Sequence, residues 1–593
     1  MKDLFLEKIS LHQSKLQTLK NKSKTIALVR GIVAVLGVLS IVYFANQRET
    51  IFLLISIALS LGFFIPLVIL HKRIKFQESI HEISINIFQK EFDKLEGKFN
   101  QLDGGNEFLE RDHPYSSDLD LFGEHSSLFQ LINHTVTQKG RALLGHWMKN
   151  RLDKSDIIIK QEIVEELSSL VDWRTQFEAL SEHFHQKHKG NESNIIDYLK
   201  VNHTVPSSIR AIAWLCGALS LAAIAFWLLD YTPITLLFLP ILINGVLIYK
   251  YHEVITQTTN ALAKNSSLLA TYNAQFELIV NQEFKHSKLI ASKNLLVEGN
   301  ALPAIQSLNK IAYRFESRTN NFYWILNILF LIDVHNLYSA STWVKNYQFK
   351  ISEWIDVIAN FEANNSIAAF SFANPKFHFP KISDQAYIFE SEELGHPLII
   401  AEKRVHNNFN FNKEGQLALI TGSNMSGKST FLRTCGINMV LAFMGAPVCA
   451  KSMIISPSRI FTSMRTEDNL EESVSAFYAE LRRIQMLLES VENNKEPLIF
   501  MLDELLKGTN SEDRHAGAEA LIKQLKNTGV SGFISTHDLG LGRLEDDTFI
   551  QNYSFTSSLK GNELVFDYKI KDGMCENFNA LTLMKQIGIR ISN

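Results

Sequence analysis

Cysteine is scarce in this 593-residue chain: Cys216, Cys435, Cys449 and Cys575 lie far apart, with no CxxC step among them. No histidine cluster at ligand spacing accompanies them, which excludes a zinc site of that kind and a disulfide framework. The four read as small buried hydrophobes in a reducing compartment. Charge bias is missing too. Lys and Arg number 59 against 62 Asp and Glu, so a net charge of −3 gives no global attraction to nucleic acid and leaves only a local basic face. Internal repeats and low-complexity tracts are absent. What remains is long enough for two or more domains. Its mean hydropathy is close to zero, high for a fully soluble chain, and the apolar excess is local.

That excess sits in two pairs of runs. Thr25 to Ala45, broken only by Arg30, and Ile51 to Leu70, which carries no charge, are each about 20 residues, the length of a bilayer-crossing helix. Gln47-Arg48-Glu49-Thr50 is too short for a soluble excursion, so the pair reads as a helical hairpin. The polar lead before it and the second span behind it argue against a signal peptide. Lys2, Lys8, Lys15, Lys20, Lys22 and Lys24 precede the hairpin, and Lys72, Arg73 and Lys75 follow it, which predicts cytoplasmic flanks. A second pair, Ile209 to Leu229 and Ile234 to Tyr249, is separated by Asp230-Tyr231-Thr232-Pro233 and bounded by Arg210 and Lys250. Its later arm is shorter and contains Pro240 and Asn244; the competing reading is a buried core hairpin. Phe322 to Ile332 is too short to span, ends at Asp333, and reads as a core helix.

Between and after the pairs the pattern is helical, with Ile80, Ile83, Ile87 and Phe88 on one face and Phe129, Ile132 and Val136 on another. Asp103-Gly104-Gly105-Asn106 is a break. After about residue 370 short β-like runs, such as Leu398-Ile399-Ile400 and Leu417-Ala418-Leu419-Ile420, alternate with helices, the signal of an α/β domain.

The chemistry lies in that domain. Gly422-Ser423-Asn424-Met425-Ser426-Gly427-Lys428-Ser429-Thr430 fits GxxxxGK[ST], directly after a strand and at the start of a helix. Glycines let backbone N–H groups turn toward phosphate, and the helix N-terminus adds partial positive charge. Lys428 is expected to reach the β- and γ-phosphates and Ser429 to ligate Mg²⁺. A second strand, Leu498 to Leu502, ends in Asp503-Glu504: a carboxylate for the metal, then one to polarise water as general base. A third, Ser531 to Ser535, ends in Thr536-His537-Asp538, where His537 can face the γ-phosphate.

These segments resemble those of the MutS mismatch-repair family. Thr421 to Thr430 is similar to that family's P-loop, with Ser423 where Pro is usual and Ser426 where Gly is usual. Asp503 to Ser511 resembles its Walker B and adjoining loop, Ser535-Thr536-His537 its Thr-His switch, and Leu394-Gly395-His396-Pro397 a motif found early in its ATPase domain. Asn469 to Phe477 resembles the signature segment, with Ser473 at a usual glycine; by that match Ser475 would touch the ATP of a partner subunit. Ser127 to Arg141 resembles the start of the core and lever domain. The resemblance covers roughly residues 115 to 593 and implies an ATP- and Mg²⁺-dependent homodimer with composite sites, acting on DNA or a branched nucleic-acid structure. By this resemblance the amino-terminal mismatch-reading domain is expected to be missing, with the apolar hairpins standing in its place. Lys264, Lys285, Lys288, Lys293, Lys310, Arg314 and Arg318 are candidates for DNA contact or for a solvated helix face.

The expected architecture is multidomain: a basic segment and transmembrane hairpin over 1–75, helical core and lever over 76–208, a second hairpin over 209–250, helical core and lever over 251–390, and an ABC-like α/β P-loop ATPase domain over 391–593. The expected setting is the inner (cytoplasmic) membrane, with four spans and cytoplasmic termini and ATPase domain. Glu504 and His537 are the catalytic candidates. Gly422, Asn424, Ser426, Gly427, Lys428, Ser429, Thr430 and Ser475 are the nucleotide-binding ones, and Ser429 and Asp503 the metal ligands. No small-molecule substrate beyond ATP is implied. The rival is an ABC-type transporter or membrane-remodelling ATPase, against which stand a signature unlike LSGGQ and spans without mid-depth charge. A scaffold using ATP only as a clamp is the third reading, and Glu504 argues against it.

Overall fold

The computed structural model describes residues 1–110, 112–185, 195, 197–199, 205–320, 322–465, 476–544, 549–560 and 563–575. Two compact units emerge, each drawn from three stretches of chain. The first takes Met1–Phe92, His134–Arg141 and Leu170–Ala363; the second takes Asp93–Asn133, Ala142–Ser169 and Asn364–Asn593.

The helices begin with α1 (Lys2–Asn46), α2 (Thr50–Leu95), α3 (Leu128–Ile132), α4 (Gln138–Lys149), α5 (Lys154–Ser169) and α6 (Val171–His185). There follow α7 (Ser208–Leu228), α8 (Phe238–Lys250), α9 (His252–Leu262), α10 (Ser266–Asn281), α11 (Ser287–Glu298) and α12 (Ala301–Glu316). Then come α13 (Tyr323–Phe330), α14 (Ile332–Tyr347), α15 (Ile351–Ala373), α16 (Lys428–Phe443), α17 (Ala476–Asn493), α18 (Ser511–Lys526) and α19 (Leu539–Gly542).

In the first unit α1 and α2 form a long hairpin, turned by Arg48 at φ 56°. The polar lead is helical rather than irregular because Phe5, Ile9 and Leu16 recur on one face and are buried. Phe5 meets Phe88 of α2 at 6.2 Å between ring centroids. Beyond this stem the apolar stretches lose their partners: in each helix only 6% of the most apolar window is buried. The two arms approach closely at Gly37, where a Cβ would fall 2.7 Å from Ser60 Oγ, and at the Ser40–Ser56 hydroxyl pair, 2.5 Å apart.

The second hairpin, α7 and α8, turns at Asp230 (φ 59°) and enters its later arm through a 3₁₀ turn, Ile234–Leu237. That arm bends by 64° into the helices that follow Lys250. Among the described residues, three helices are long and apolar enough to cross a membrane, or four if the bent pair is one span. Deeper in the unit, Glu362 of α15 accepts from Thr137 N (3.1 Å), Thr137 Oγ1 (2.6 Å) and Gln275 Nε2 (2.7 Å).

In the second unit a six-stranded sheet runs β10-β9-β4-β8-β7-β6. Here β4 is Leu417–Gly422, β6 Arg459–Ser463, β7 Leu498–Asp503, β8 Ser531–Thr536, β9 Ile550–Lys560 and β10 Glu563–Asp572. All neighbours pair in parallel except β9 with β10. A four-stranded sheet, β1-β5-β2-β3, comprises β1 (Lys381–Ile382), β2 (Phe389–Leu394), β3 (Asn407–Phe411) and β5 (Ser452–Ile455). Alternation along the central strands divides the core. Leu419, Phe500, Leu502 and Ile534 join one cluster, whereas Phe533 turns the other way onto Phe409 and Phe411 of the small sheet.

Leu398-Ile399-Ile400 is not a strand. It follows Pro397, which has no N–H to give a ladder, and Arg404 takes the carbonyls of His396, Pro397 and Ile399. Phe322 to Ile332 departs from a simple core helix as well: α13 buries Tyr323 and Asn327 but leaves Phe322, Trp324, Ile325 and Leu326 exposed.

Candidate functional site

β4 delivers the phosphate loop. Gly422 sits at φ 155°, where a Cβ would come 2.7 Å from Phe555 O, and Gly427, at φ 108°, starts α16. Lys428 is buried, and its Nζ curls back over the loop to donate to Gly422 O (3.0 Å) and Ser423 O (3.2 Å). The hydroxyls of Ser423 and Ser426 are buried with no partner among the described residues. Asn424 and Thr430 are exposed and Ser429 is half-buried. A loop with one charged amine satisfied only by carbonyls, two orphaned donors and a helix N-terminus behind it fits a triphosphate.

The parallel register brings the other strand ends alongside: Thr421 lies opposite Thr536, and Asp503 opposite Ser535. Ser535 Oγ donates to Asp503 Oδ1 and fixes that carboxylate, while Glu504 N donates to Ser535 O at 3.0 Å. Glu504 adopts φ 55°, an unusual conformation for a residue with a Cβ, which lifts its side chain out of the strand's alternation. Its Oε1 lies 3.0 Å from His537 Nε2, and its Oε2 lies 3.5 Å from Lys507 Nζ. His537 Nε2 is also 3.3 Å from Lys428 Nζ. One ring nitrogen cannot donate to a carboxylate and accept from an ammonium at once. The hydrogen bond from His537 holds the Glu504 carboxyl down at about 2 against the opposing effect of burial, with Lys507 and Lys428 assisting. Hence Nε2–H donates to Glu504, and Lys428 keeps only its carbonyl partners. Burial pushes the Lys428 amine down, opposed by Glu504 and Asp503.

Side chains that carried no motif support this cluster. Glu480 of α17 accepts from Leu506 N and from Lys507 N (3.0 Å), bracing the loop that carries Lys507; Leu506 sits at φ 57°. Asp118 accepts from Thr462 Oγ1 (2.7 Å), Met464 N (3.2 Å) and Arg465 N (2.9 Å), pinning the chain just before residue 466. Asp120 bridges Arg465 (2.5 Å) and Arg433 of the phosphate-loop helix (3.3 Å). Asp538 holds His515 Nδ1 at 2.6 Å and caps α19. Each partner is remote in sequence, and a lone Glu or Asp on a polar face gives no signal of its own. Ser475, with residues 466–474 before it, lies outside the described residues. Of the basic residues after α8, Lys293 donates to Gln282 O (2.8 Å) and Arg318 to Thr259 Oγ1 (2.7 Å), so both serve the helical unit itself.

Residues 418–590 match the family model described as MutS domain V. The DNA mismatch repair protein MutS of Thermotoga petrophila is 31% identical over 199 residues, 33% of this chain and 25% of that protein. Its namesake from Thermotoga maritima is 27% identical over 254 residues, 42% of this chain and 31% of that protein. Endonuclease MutS2 of Thermus thermophilus is 34% identical over 150 residues, 25% of this chain and 20% of that protein. The chain thus spans less than a third of the length of each of these relatives.

Proposed function

From the premise that the chain belongs to the MutS family through its C-terminal domain, we infer that it is a membrane-anchored, magnesium-dependent ATPase whose dimer clamps DNA or a branched nucleic-acid structure. The carrying observation is the meeting of Lys428, Glu504 and His537 at the mouth of the phosphate loop. ATP is the substrate. Lys428, buried and bonded only to carbonyls of its own loop, exchanges those partners for β- and γ-phosphate oxygens. The orphaned hydroxyls of Ser423 and Ser426 and the exposed rim at Asn424 and Thr430 complete the cradle. Ser429 and Asp503 would hold magnesium, which when bound supplies charge neutralisation at the phosphates.

Hydrolysis forms a bond from water oxygen to the γ-phosphorus and breaks the bond to the bridging oxygen of ADP. Glu504, ionised and held by His537 and Lys507, takes the proton that the attacking water releases. His537, bonded to the base and beside Lys428, links the state of the base to the phosphate end of the site. Ser475 of one copy would complete the site of the other, so hydrolysis and dimer opening are coupled. DNA enters through the relatives, whose names give mismatch repair and endonuclease activities. Membrane anchoring rests on the exposed apolar hairpins and their basic flanks.

Turnover by the detergent-solubilised protein tests the enzyme. Glu504→Gln is expected to lower kcat by about 10²-fold or more while ATP binding persists, and Lys428→Ala to abolish binding. Unchanged turnover in Glu504→Gln removes the assigned base. A DNA affinity that does not fall with salt, together with hydrolysis indifferent to DNA, removes the nucleic-acid partner.

A further inference from the structure

We propose that α13, the short helix after α12, is a half-embedded helix that seats its outer face among lipid acyl chains, in the bilayer leaflet that Arg210 and Lys250 border. This rests on the reading of α7 and α8 as a membrane hairpin. Eight residues of helix make about 12 Å, too short to cross a hydrocarbon core of about 30 Å. The helix and its N-cap nevertheless expose Phe322 (72%), Trp324 (68%), Ile325 (38%) and Leu326 (47%) around most of the first turn, with Tyr323 and Asn327 buried. Apolar exposure of that kind on a helix of a water-facing unit needs a cover.

The position of α13 supplies the cover. Its C-terminal turn packs onto the hairpin: a Cβ at Gly217 would lie 3.9 Å from Phe330 Cδ1, and one at Gly245 would lie 4.0 Å from Ile328 Cδ1. At about 1.5 Å per residue, Gly217 lies about 10 Å beyond Arg210, and Gly245 about 7 Å before Lys250. The C-terminal end of α13 therefore sits within one leaflet, beside hairpin residues such as Leu215, Leu219 and Leu242 that are themselves exposed and apolar. The occupant is lipid because the face continues the hairpin's own.

A helix end at that depth leaves carbonyls that water does not reach, and each must find a donor inside the protein. Asn244, a polar residue midway along α8, does this: its Nδ2 donates to Ile328 O (2.8 Å), Leu329 O (3.3 Å) and Ser220 Oγ (3.1 Å). The chain then turns at Leu331, φ 50°, and leaves through α14. At the exit Asp333 is 1% exposed yet fully engaged, accepting from Tyr323 Oη (2.7 Å) and Asn327 Nδ2 (2.8 Å), with Arg318 Nε 3.4 Å away. Asn327 Oδ1 accepts from Asp333 N at 2.8 Å. These bonds close the polar groups of a re-entering chain before they meet hydrocarbon.

Spin labels test the placement in the full chain reconstituted into phosphatidylcholine–phosphatidylglycerol vesicles. Labels go at Trp324→Cys and Leu326→Cys, with Leu219→Cys as the hairpin control and Tyr313→Cys as the aqueous one; the native cysteines are all buried. The expected result is that labels at 324 and 326 collide with oxygen and are shielded from an aqueous nickel chelate, like the label at 219 and unlike that at 313. Nickel access at 324 and 326 with shielding at 219 overturns the placement and leaves the hairpin standing. Nickel access at 219 as well overturns the membrane hairpin and the placement with it. Exclusion of both reagents at 324 and 326 assigns the face to a protein partner, a second copy included, and also overturns it.

Discussion

His396 follows Gly395 in the second unit, and its ring is buried with Nδ1 accepting from Leu398 N at 3.3 Å. A protonated ring has no lone pair for that bond. Burial, with Arg433 and Arg404 nearby, pushes its pKa down to about 4. His113 is alike: Nδ1 accepts from Tyr115 N and Ser116 N, and burial brings it to about 4. The unfolded chain, with an ordinary histidine pKa near 6.5, binds more protons than the fold between these values, so stability falls as pH drops from about 6.5 to 4. The slope is at most about 1.4 kcal/mol per pH unit for each such group. His396→Asn keeps an acceptor without the titration. Thermal melts between pH 7 and 4.5 are expected to show a shallower loss of Tm in that variant than in the parent, and an equal slope would remove His396 from the acid response.

At the scale of elements, the brace from α17 to the loop after β7 is the most consequential contact without a motif behind it. Glu480 ties down two amides on a loop that bends through the unusual φ of Leu506 and presents Lys507 to Glu504. Glu480→Ala is expected to lower kcat with little change in ATP affinity and to cost about 1–3 kcal/mol for the amide left unpaired. Glu480→Gln, which keeps one acceptor oxygen, should recover part of the rate. A change in KM alone would make the residue a binding element instead.

The contrast between strands and braces explains what could be read in advance. The strand ends at Gly422, Asp503 and Thr536 were legible because their chemistry is local in sequence: an apolar run, a turn, a charged residue. The partners that aim those groups were not, since Glu480 and Asp118 act across the fold, and Ser535, named only as part of the Thr-His segment, reaches across to Asp503. The same holds in the helical unit. Gly140 is required because a Cβ there would lie 2.1 Å from Glu362 Oε2, a neighbour that no pattern announces. The long apolar arms were legible by length alone, whereas α13, expected in the core, leaves Trp324, Ile325 and Leu326 exposed, because a short apolar run has no periodicity to tell a buried face from an exposed one.

At the scale of the molecule, the apolar hairpins and the nucleotide site make one prediction together. If Ser475 completes a partner's site, two copies must meet before ATP is cleaved, and stalled cleavage should hold them together. Glu504→Gln with ATP and magnesium would be the stalled state, because it keeps Lys428 and the cradle but removes the proposed base. Light scattering of the solubilised protein is then expected to give about twice the monomer mass for Glu504→Gln with ATP. Lys428→Ala, or either variant without nucleotide, should stay at monomer mass when diluted. If the apolar hairpins anchor the chain, they matter to the magnitude: confinement to a membrane raises the effective concentration of copies, so a dimer weak in detergent can still form in a bilayer. Crosslinking in vesicles at falling protein-to-lipid ratio therefore belongs beside the scattering. If Glu504→Gln with ATP neither doubles in mass nor crosslinks more than Lys428→Ala in vesicles, the site is complete within one chain and the trans role of Ser475 is lost.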